Sequence, residues 1–385
     1  MEQTLTIGMA HHNDYHGVYF TIQDIRKELI FNRRHDLLQR IKFLVVENDP
    51  GSKHAQMLKD YSNKVRNLEV IDLTEDIGTS PARNKIIEEA RTNFVLVMDC
   101  HVLLCPVVET LDKLFSFLEY NSKSDDLYTG PLIHDDLMNF STHFNDTWGG
   151  HMWGQWGSAW QCVCESYNFA IHNENDKVSF FSLEKQEKLD KCVYCNREFP
   201  KDIGFYGHEK PLSDQGYSKV GRDPSSCPFP VFAQGLGVFL TRKASWLKFN
   251  EHARGFGGEE CYIHEKYRAN DRQTIYLPFL RWLHRFGRPD GVRYELTAEN
   301  KVRNYILEFL ELGMDLSPIK EHFVEDGSFS QKDFDLIEGE CRGLYQDSDT
   351  TLDADVLREI ETLKLKLKQL TKKSCCKNKK CKNNN

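Results

Sequence analysis

A short apolar run that ends in two metal-ligand side chains is the feature that most constrains how this chain folds. Residues 93–98 read Asn-Phe-Val-Leu-Val-Met, and Asp99-Cys100-His101 follow them directly. Side chains two residues apart at a strand end point to the same side of the backbone, and open parallel α/β sheets bind ligands at the carboxyl ends of their strands. We therefore expect Asp99 and His101 to face a ligand together. The alternative is a strand that ends in an ordinary polar turn.

The first 120 residues alternate between strand and helix patterns. Strand-length apolar runs begin at Leu5, Ile41 and Leu68, and helical spacing of apolar residues covers 18–40 and 81–92. This alternation predicts an α/β fold, with a mostly parallel, twisted, Rossmann-like sheet flanked by helices. Neither a G-x-G-x-x-G after the first strand nor a G-x-x-x-x-G-K-[ST] motif occurs, so neither phosphate-loop type is supported.

The later part of the chain divides by composition. Residues 140–230 are rich in Trp, Gly, Cys and His with weak periodicity, which indicates long loops or an insertion over the sheet. Beyond them we predict a strand at 231–240, a helix at 258–270, a strand at 274–279 and helices within 300–340. The expected domains are an α/β domain at 1–300 containing the insertion, a helical extension at 301–371 and a disordered Lys-rich tail at 372–385.

The extension and the tail each leave two interpretations. Apolar residues within 352–370 recur every three or four positions, so this segment either packs on the body as a helix or mediates homo-oligomerisation. The tail carries six lysines and no acid, so it is either simply disordered or weakly attracted to anions. The whole chain has a net charge of −8, so residues 1–371, without the six lysines of the tail, sum to −14. This acidic body argues against broad nucleic-acid affinity.

Targeting signals are not evident. No apolar run approaches the length of a membrane span, and the first residues, MEQTLTIGMAHHND, lack a basic region and an apolar stretch. We therefore expect a cytoplasmic protein without a membrane partner. The twelve cysteines are then expected to stay reduced, and some of them to bind metal.

Three further segments belong with the Asp99 strand. Gly255–Glu260 opens a helix with two acids, where Glu259 and Glu260 either complement the helix dipole or act on a proton in a cleft. In Trp282–Arg288, His284 is a third metal ligand for Asp99 and His101 or an ordinary packed histidine, and arginines such as Arg285 suit phosphate oxygens. Residues 77–84 lead into a helix N-terminus, which suits anions.

The order of these pieces resembles a known enzyme class. The motifs are His12-Asn13-Asp14, Ala82-Arg83-Asn84, Asp99-Cys100-His101, the strand 234–239, Gly257-Gly258-Glu259-Glu260 and His284-Arg285-Phe286. Together, over residues 4–290, they resemble nucleotide-sugar glycosyltransferases of the GT-A fold, in particular the polypeptide N-acetylgalactosaminyltransferases and the family-two enzymes. A GT-A catalytic domain is the fold that this resemblance implies.

The resemblance also implies a site. Asp99, His101 and His284 would bind Mn²⁺ or Mg²⁺, and imidazole ligands favour Mn²⁺. The donor, a UDP-sugar by this resemblance, would contact a set of polar residues and lose a hexosyl or N-acetylhexosaminyl group to an acceptor hydroxyl. Glu260 stands where family-two enzymes carry the base of inverting transfer, with Glu259 beside it. The donor-contacting set is His12, Asp14, Glu47, Asp49, Arg83, Asp99 and Arg285.

The sequence says less about the acceptor than about the donor. Trp148, Trp153 and Trp156 lie among glycines and form either a stacking platform for the acceptor or a small aromatic core. The expected acceptor is a hydroxyl on a protein or glycan. Hydroxylated bases of viral DNA are an alternative acceptor, and a catalytically dead scaffold acting as a binding protein is a different class.

Two cysteine pairs have the spacing of metal ligands. Cys162-x-Cys164 and Cys192-x-x-Cys195 suit tetrahedral Zn²⁺, whereas free buried thiols are the alternative.

Overall fold

The computed structural model describes residues 4–287, 291–292 and 294–349. The chain divides into two compact units, at residues 1–330 and 331–385. The predicted oligomerisation helix at 352–370 and the Lys-rich tail at 372–385 lie outside the described residues. Among the described residues, the structure contains no helix that is long and apolar enough to span a membrane.

The first unit is built from strands and helices in mixed order. Its strands are β1 Leu5–His11, β2 Ile41–Glu47, β3 Leu68–Asp72, β4 Phe94–Met98, β5 Val102–Leu104, β6 Leu127–Thr129, β7 Leu132–Ile133, β8 Phe140–Ser141, β9 His143–Gly149, β10 Met152–Gly157, β11 Trp160–Gln161, β12 Asn168–Glu174, β13 Lys177–Ser182, β14 Lys188–Leu189, β15 Ser218–Lys219, β16 Phe229–Val231, β17 Val238–Arg242, β18 Thr274–Tyr276 and β19 Trp282–His284. Its α-helices are α1 Tyr15–Phe31, α2 His35–Arg40, α3 Lys53–Ser62, α4 Thr79–Glu89, α5 Val107–Tyr120, α6 Glu209–Asp214, α7 Glu259–Ala269, α8 Ala298–Leu312 and α9 Ser317–Lys320. The second unit contains α10 Gln331–Asp349.

The central sheet confirms the predicted α/β class. Its eight strands run in the order β16-β18-β6-β17-β4-β1-β2-β3. Strands β4, β1, β2 and β3 are mutually parallel, whereas β17 runs antiparallel to both β4 and β6. The sheet is therefore parallel in the half that the β-α alternation predicts and mixed in the other half.

Alternate residues of the strands bury against helices on opposite faces of the sheet. In β4, Leu96 belongs to the core that packs on α1 and α5, and its neighbours Val95 and Val97 belong to the core that packs on α4 and α7. Period-two burial on both faces is the reason that these strands are continuously apolar.

Several predicted boundaries differ from the structure. The helix expected at 18–40 is interrupted between α1 and α2, where Arg33 adopts a φ of +59°. The strand expected at 231–240 is two strands, β16 and β17, because the chain crosses from one edge of the sheet to its middle between them. The helix expected from 81 begins at Thr79, behind Gly78 with a φ of +83°.

The segment at 140–230 is an insertion with regular structure of its own. Strands β9 and β10 form a hairpin, and β14-β13-β12-β11-β15 form a separate five-stranded sheet. Of the two expectations, the insertion is the correct one. Its individual strands were not evident in the sequence, because they are short and their alternation is broken by Gly, Trp and Cys.

Candidate active site

A cleft of about 430 Å³ lies at the carboxyl edge of the parallel strands. The loops that follow β1, β2 and β4 border it, as do the first turns of α1 and α4. The wall is completed by residues from the later part of the first unit, which include Phe256, Arg285 and Tyr294. The cleft therefore occupies the ligand position expected for an open α/β sheet.

Asp99, His101 and His284 meet at the wall of this cleft. Strand β19 pairs antiparallel with β5, with His284 opposite Val102, so this register brings His284 beside His101. The Nε2 atoms of the two imidazoles are 3.0 Å apart, and His101 Nε2 is 3.9 Å from Asp99 Oδ2. One ligand atom from each of the three residues lies within 4.8 Å of the others.

This donor set fits a divalent cation. Two ligands at right angles on an ion with bonds of about 2.1 Å lie about 3 Å apart, which matches the separation of the two imidazole nitrogens. One carboxylate and two imidazoles suit Mn²⁺ better than Mg²⁺, which prefers oxygen ligands. Burial alone works against ionisation of Asp99, but Arg83 and the two imidazoles outweigh it and hold the pKa of this carboxyl below its usual value.

Arg83 connects the Asp99 cluster to the N-terminus of α7. Its Nη2 donates to Asp99 Oδ1 at 2.8 Å and its Nη1 donates to Glu259 Oε1 at 3.0 Å. The guanidinium is 4% exposed and the Glu259 side chain 1%. Burial alone lowers the pKa of Arg83, but the carboxylates of Asp99 and Glu259 raise it overall, so the guanidinium stays charged. It fixes both carboxylates in position.

We expect Arg83→Met to destabilise the protein by about 3–5 kcal/mol, because it leaves the buried Glu259 carboxylate without its cation. Urea unfolding measures this difference. Arg91→Met is the matched control, since Arg91 pairs with Glu69 while 82% exposed and such pairs contribute about 0–1 kcal/mol. Equal losses in the two variants would contradict the role assigned to Arg83.

Glu259 and Glu260 both begin α7 but differ in surroundings. Positive φ angles at Gly257 and Gly258 turn the chain sharply into the helix. Glu259 points to Arg83, whereas Glu260 is partly exposed, and burial together with the charge of Glu259 raises the pKa of Glu260 to about 8. Neither carboxylate is among the described residues that line the cleft.

Glu308 on α8 is a buried carboxyl that the sequence analysis did not identify. It is 0% exposed, and both of its carboxylate oxygens lack a hydrogen-bond partner among the described residues. Its Oε2 lies 3.0 Å from where a Cβ on Gly258 would be. Burial, followed by the charges of Glu259 and Glu260, raises the pKa of Glu308 well above its usual value. A glutamate within an amphipathic helix gives no sequence signal of this environment.

The Glu308 carboxyl predicts a pH-dependent stability. The folded state retains a proton that the unfolded chain releases, so stability falls as pH rises from the ordinary carboxyl range towards the folded pKa. The amide introduced by Glu308→Gln does not titrate, so we expect this variant to gain stability relative to the natural protein as pH rises. Urea unfolding at about pH 5 and pH 8 measures this, and the exposed Glu299 on the same helix gives the control, Glu299→Gln. A pH-independent difference for Glu308→Gln would contradict the prediction.

The loop after β1 places His12 and Asp14 in the cleft. Asp14 caps α1 by accepting from the Gly17 N–H at 3.1 Å. His12 Nε2 lies 3.2 Å from Asp76 Oδ2, and this hydrogen bond raises the pKa of His12. Asp76 also accepts from Asn48 Nδ2 at 2.9 Å. Asp76 and Asn48 were missed by the sequence analysis, because their role depends on loop geometry.

The remaining predicted donor-binding residues divide between the cleft and its support. Arg285 lines the cleft and donates through Nε to the His101 carbonyl at 3.1 Å. Glu47 is 1% exposed, with its carboxylate 2.7 Å from His11 Nδ1 and 2.7 Å from the Asp49 N–H. Neither Glu47 nor Asp49 is among the described residues lining the cleft, so their direct contact with a donor stays a prediction.

The predicted anion site at the start of α4 is partly used by the protein itself. The Thr79 N–H donates to the Gly255 carbonyl at 2.9 Å, and the Gly78 N–H donates to Asp76 Oδ1 at 2.8 Å. These bonds join the α4 loop to the loop before α7. The start of α4 therefore forms part of the cleft wall, but the amides of Gly78 and Thr79 already donate hydrogen bonds within the protein.

The three tryptophans lie in two environments. Trp148 packs on Trp153 and Tyr305 with ring centroids 6.1 and 5.0 Å apart, and Trp153 is 5% exposed. This packing agrees with the aromatic-core interpretation. Trp156 instead borders a second cavity of about 180 Å³ beneath the insertion. An acceptor-binding role for the three stays a prediction.

The four predicted zinc ligands are brought together within the insertion. One sulfur from each of Cys162, Cys164, Cys192 and Cys195 lies within 4.8 Å of the others. None of the four is among the described residues that line the cleft, so this cluster is separate from the Asp99 site.

Two sequence comparisons match this chain to glycosyltransferases. The sequence model of the family Glycosyl transferase family 2 matches residues 6–150. An uncharacterized glycosyltransferase of Methanocaldococcus jannaschii is 25% identical over 119 residues, which are 31% of this chain and 40% of the relative. The chain thus aligns with less than half of the length of the curated relative.

Three solved structures have weak overall similarity to this chain. GalNAc-T7 with UDP, GalNAc and Mn²⁺ has a TM-score of 0.47 at 12% identity, covering 90% of this chain and 57% of the other. S. aureus TarS with UDP has a TM-score of 0.42 at 13% identity, covering 86% and 73%. A Pyrobaculum calidifontis mannosyltransferase with GDP-Man and Mn²⁺ has a TM-score of 0.43 at 10% identity, covering 95% and 81%.

The match over residues 6–150 covers β1 to β4, Arg83, Asp99 and His101. The resemblance to GT-A glycosyltransferases predicted from the motifs is thereby confirmed. The residues that follow position 150 are assigned to the same site by the geometry described above.

Proposed function

We propose that this protein transfers a sugar from a nucleotide diphosphate donor, with UDP as the nucleotide, to a hydroxyl group of a protein or glycan. The observation that carries the proposal is the meeting of Asp99, His101 and His284 at the edge of the cleft. The choice of UDP rests on the motif resemblance to the polypeptide N-acetylgalactosaminyltransferases.

The charge of the cleft supports a cation-dependent donor site. Among the described residues that line the cleft, carboxylates outnumber guanidinium groups. One of the two guanidinium groups, that of Arg83, is already paired with two carboxylates. A diphosphate entering this wall would be repelled without an added positive charge. The charged side chains in question are Asp14, Asp76, Asp99, Glu295, Arg83 and Arg285.

The cation held by Asp99, His101 and His284 would neutralise the diphosphate and stabilise it as a leaving group. Arg285 supplies a second positive charge on the cleft wall, on the chain segment that continues from His284. Arg83 holds the Asp99 carboxylate ionised and in place, which keeps the cation ligand available. In this arrangement Arg83 positions the cation ligand Asp99, whereas the cation and Arg285 would neutralise the charge of the diphosphate.

Glu260 is the proposed base. Its carboxylate would accept the proton of the acceptor hydroxyl as that oxygen attacks the anomeric carbon, while the bond to the diphosphate oxygen breaks and its electron pair leaves with the nucleotide. A pKa near the working pH suits this task. Attack opposite to the leaving group would invert the configuration of the anomeric carbon.

Aromatic rings at one end of the cleft suit a nucleobase. The ring centroids of Phe256 and Tyr294 are 5.0 Å apart, and those of His12 and Tyr294 are 6.2 Å apart. Stacking on such rings contributes about 1–3 kcal/mol per base. We assign the base of the donor to this end and the diphosphate to the Asp99 end.

Donor turnover tests the proposal. The full chain is incubated with a panel of UDP- and GDP-sugars, with and without Mn²⁺, and the released nucleotide is measured. We expect Mn²⁺-dependent release with at least one UDP-sugar. Neither binding nor turnover with any donor would favour the dead-scaffold interpretation. The active donor, labelled in its sugar, is then offered to protein, glycan and hydroxymethylated DNA to identify the acceptor class.

A further inference from the structure

Four sulfur atoms of the insertion, those of Cys162, Cys164, Cys192 and Cys195, lie within 4.8 Å of one another. Cys162 Sγ is 3.7 Å from Cys195 Sγ, and Cys164 Sγ is 3.7 Å from Cys192 Sγ. Four thiolates around Zn²⁺ with bonds of about 2.3 Å lie about 3.8 Å apart. A disulfide requires sulfurs about 2.05 Å apart, so the observed pairs are separated as metal ligands and not as bonded sulfurs.

Each cysteine pair is followed by a turn with the same backbone conformation. After the first pair, Glu165 has a φ of +58° and its N–H donates to the Cys162 carbonyl at 2.8 Å. After the second pair, Asn196 has a φ of +58° and its N–H donates to the Cys192 carbonyl at 3.0 Å. Each turn folds back on its first cysteine, and the two sulfurs of each pair lie within 4.8 Å of each other.

The position of the cluster suits a structural metal. Cys162 follows β11, and Cys192 follows β14, so the cluster joins two strands of the five-stranded sheet that are not neighbours. The hydrophobic core of this sheet is small and includes Cys162 and Cys192 themselves. Small units with a small core often gain stability from a disulfide or a structural metal.

We propose that Cys162, Cys164, Cys192 and Cys195 bind one structural Zn²⁺, which holds the insertion in its fold. All four positions are protein sulfurs, so no coordination position is left open for a substrate, and the site is structural and not catalytic. The proposal does not depend on the transferase activity.

The metal content of the purified full chain tests this site. We expect one zinc per chain by mass spectrometry, and loss of that zinc in Cys195→Ser. Cys195 is exposed, so its replacement leaves the core of the insertion intact. Cys227→Ser is the matched control, because Cys227 is also exposed but lies outside the cluster, and it should retain the zinc.

Two further measurements keep the test decisive. Asp99→Ala should retain the zinc, which distinguishes the cysteine cluster from the Asp99, His101 and His284 site. If Cys195→Ser fails to fold, Co²⁺ exchange into the natural protein should give thiolate-to-cobalt charge-transfer and tetrahedral bands. Zinc-free purified protein, zinc retained in folded Cys195→Ser, or Co²⁺ spectra without thiolate bands would overturn the proposal.

Discussion

Asp99→Ala is expected to lower cation-dependent nucleotide release by about 10³-fold or more. Asp99 supplies the carboxylate of the cation site, and a bound cation contributes several kcal/mol to stabilising a leaving diphosphate, where each 1.36 kcal/mol is a factor of ten in rate. The variant also removes a partner of Arg83, whose remaining ion pair to Glu259 is 3.0 Å long. Release of nucleotide is measured at several Mn²⁺ concentrations, since a weakened site needs more cation for the same rate.

Asp112→Asn is the control for this experiment. Asp112 lies on α5 and pairs with Arg34 while 55% exposed, so its replacement removes a carboxylate without affecting the cleft. We expect natural rates from it. An Asp99→Ala protein that keeps its rate and its Mn²⁺ dependence would show that the cation does not bind at this site.

Glu260→Gln is expected to lower kcat by about 10²–10⁴-fold, the range that general-base catalysis contributes. Because Glu260 lies outside the described lining of the donor cleft, we expect the affinity for the donor to change little. Single-turnover transfer measures the chemical step, and nucleotide binding by calorimetry measures the donor. Glu251→Gln, at a site 88% exposed, provides a matched control.

The pH profile provides an independent readout for Glu260. Burial and the charge of Glu259 raise the pKa of Glu260 to about 8, and a base acts only when deprotonated. We therefore expect kcat/KM to rise with pH and to level off above about pH 8. An unchanged kcat in Glu260→Gln would remove this residue from the reaction while leaving the cation site standing.

Much of the fold could be predicted because it depends on local periodicity. Strands β1, β2, β3 and β4 begin at the predicted residues or within one of them. Strands β1, β2 and β4 are almost wholly buried, whereas β3 is buried only in part. The antiparallel direction of β17 and the strands of the insertion were not predicted. Their pairing depends on partners more than 70 residues away or on short strands with weak patterns.

The candidate site was predicted in part. Asp99 and His101 are two residues apart on one strand end, so their proximity is a property of the local backbone. Asp76, Asn48 and Glu308 escaped prediction, because an ordinary polar residue gives no sign in the sequence that the fold will bury it or turn it into a cleft.

The α/β alternation, the pair Asp99 and His101, and the spacing within each cysteine pair are all legible in the amino-acid order. Three-dimensional packing was needed to establish that His284 lies beside His101, that Arg83 joins Asp99 to Glu259, and that the two cysteine pairs meet. The difference is one of range, because backbone geometry fixes the direction of side chains only a few residues apart. Contacts across 28 to 183 residues depend instead on strand register and helix packing.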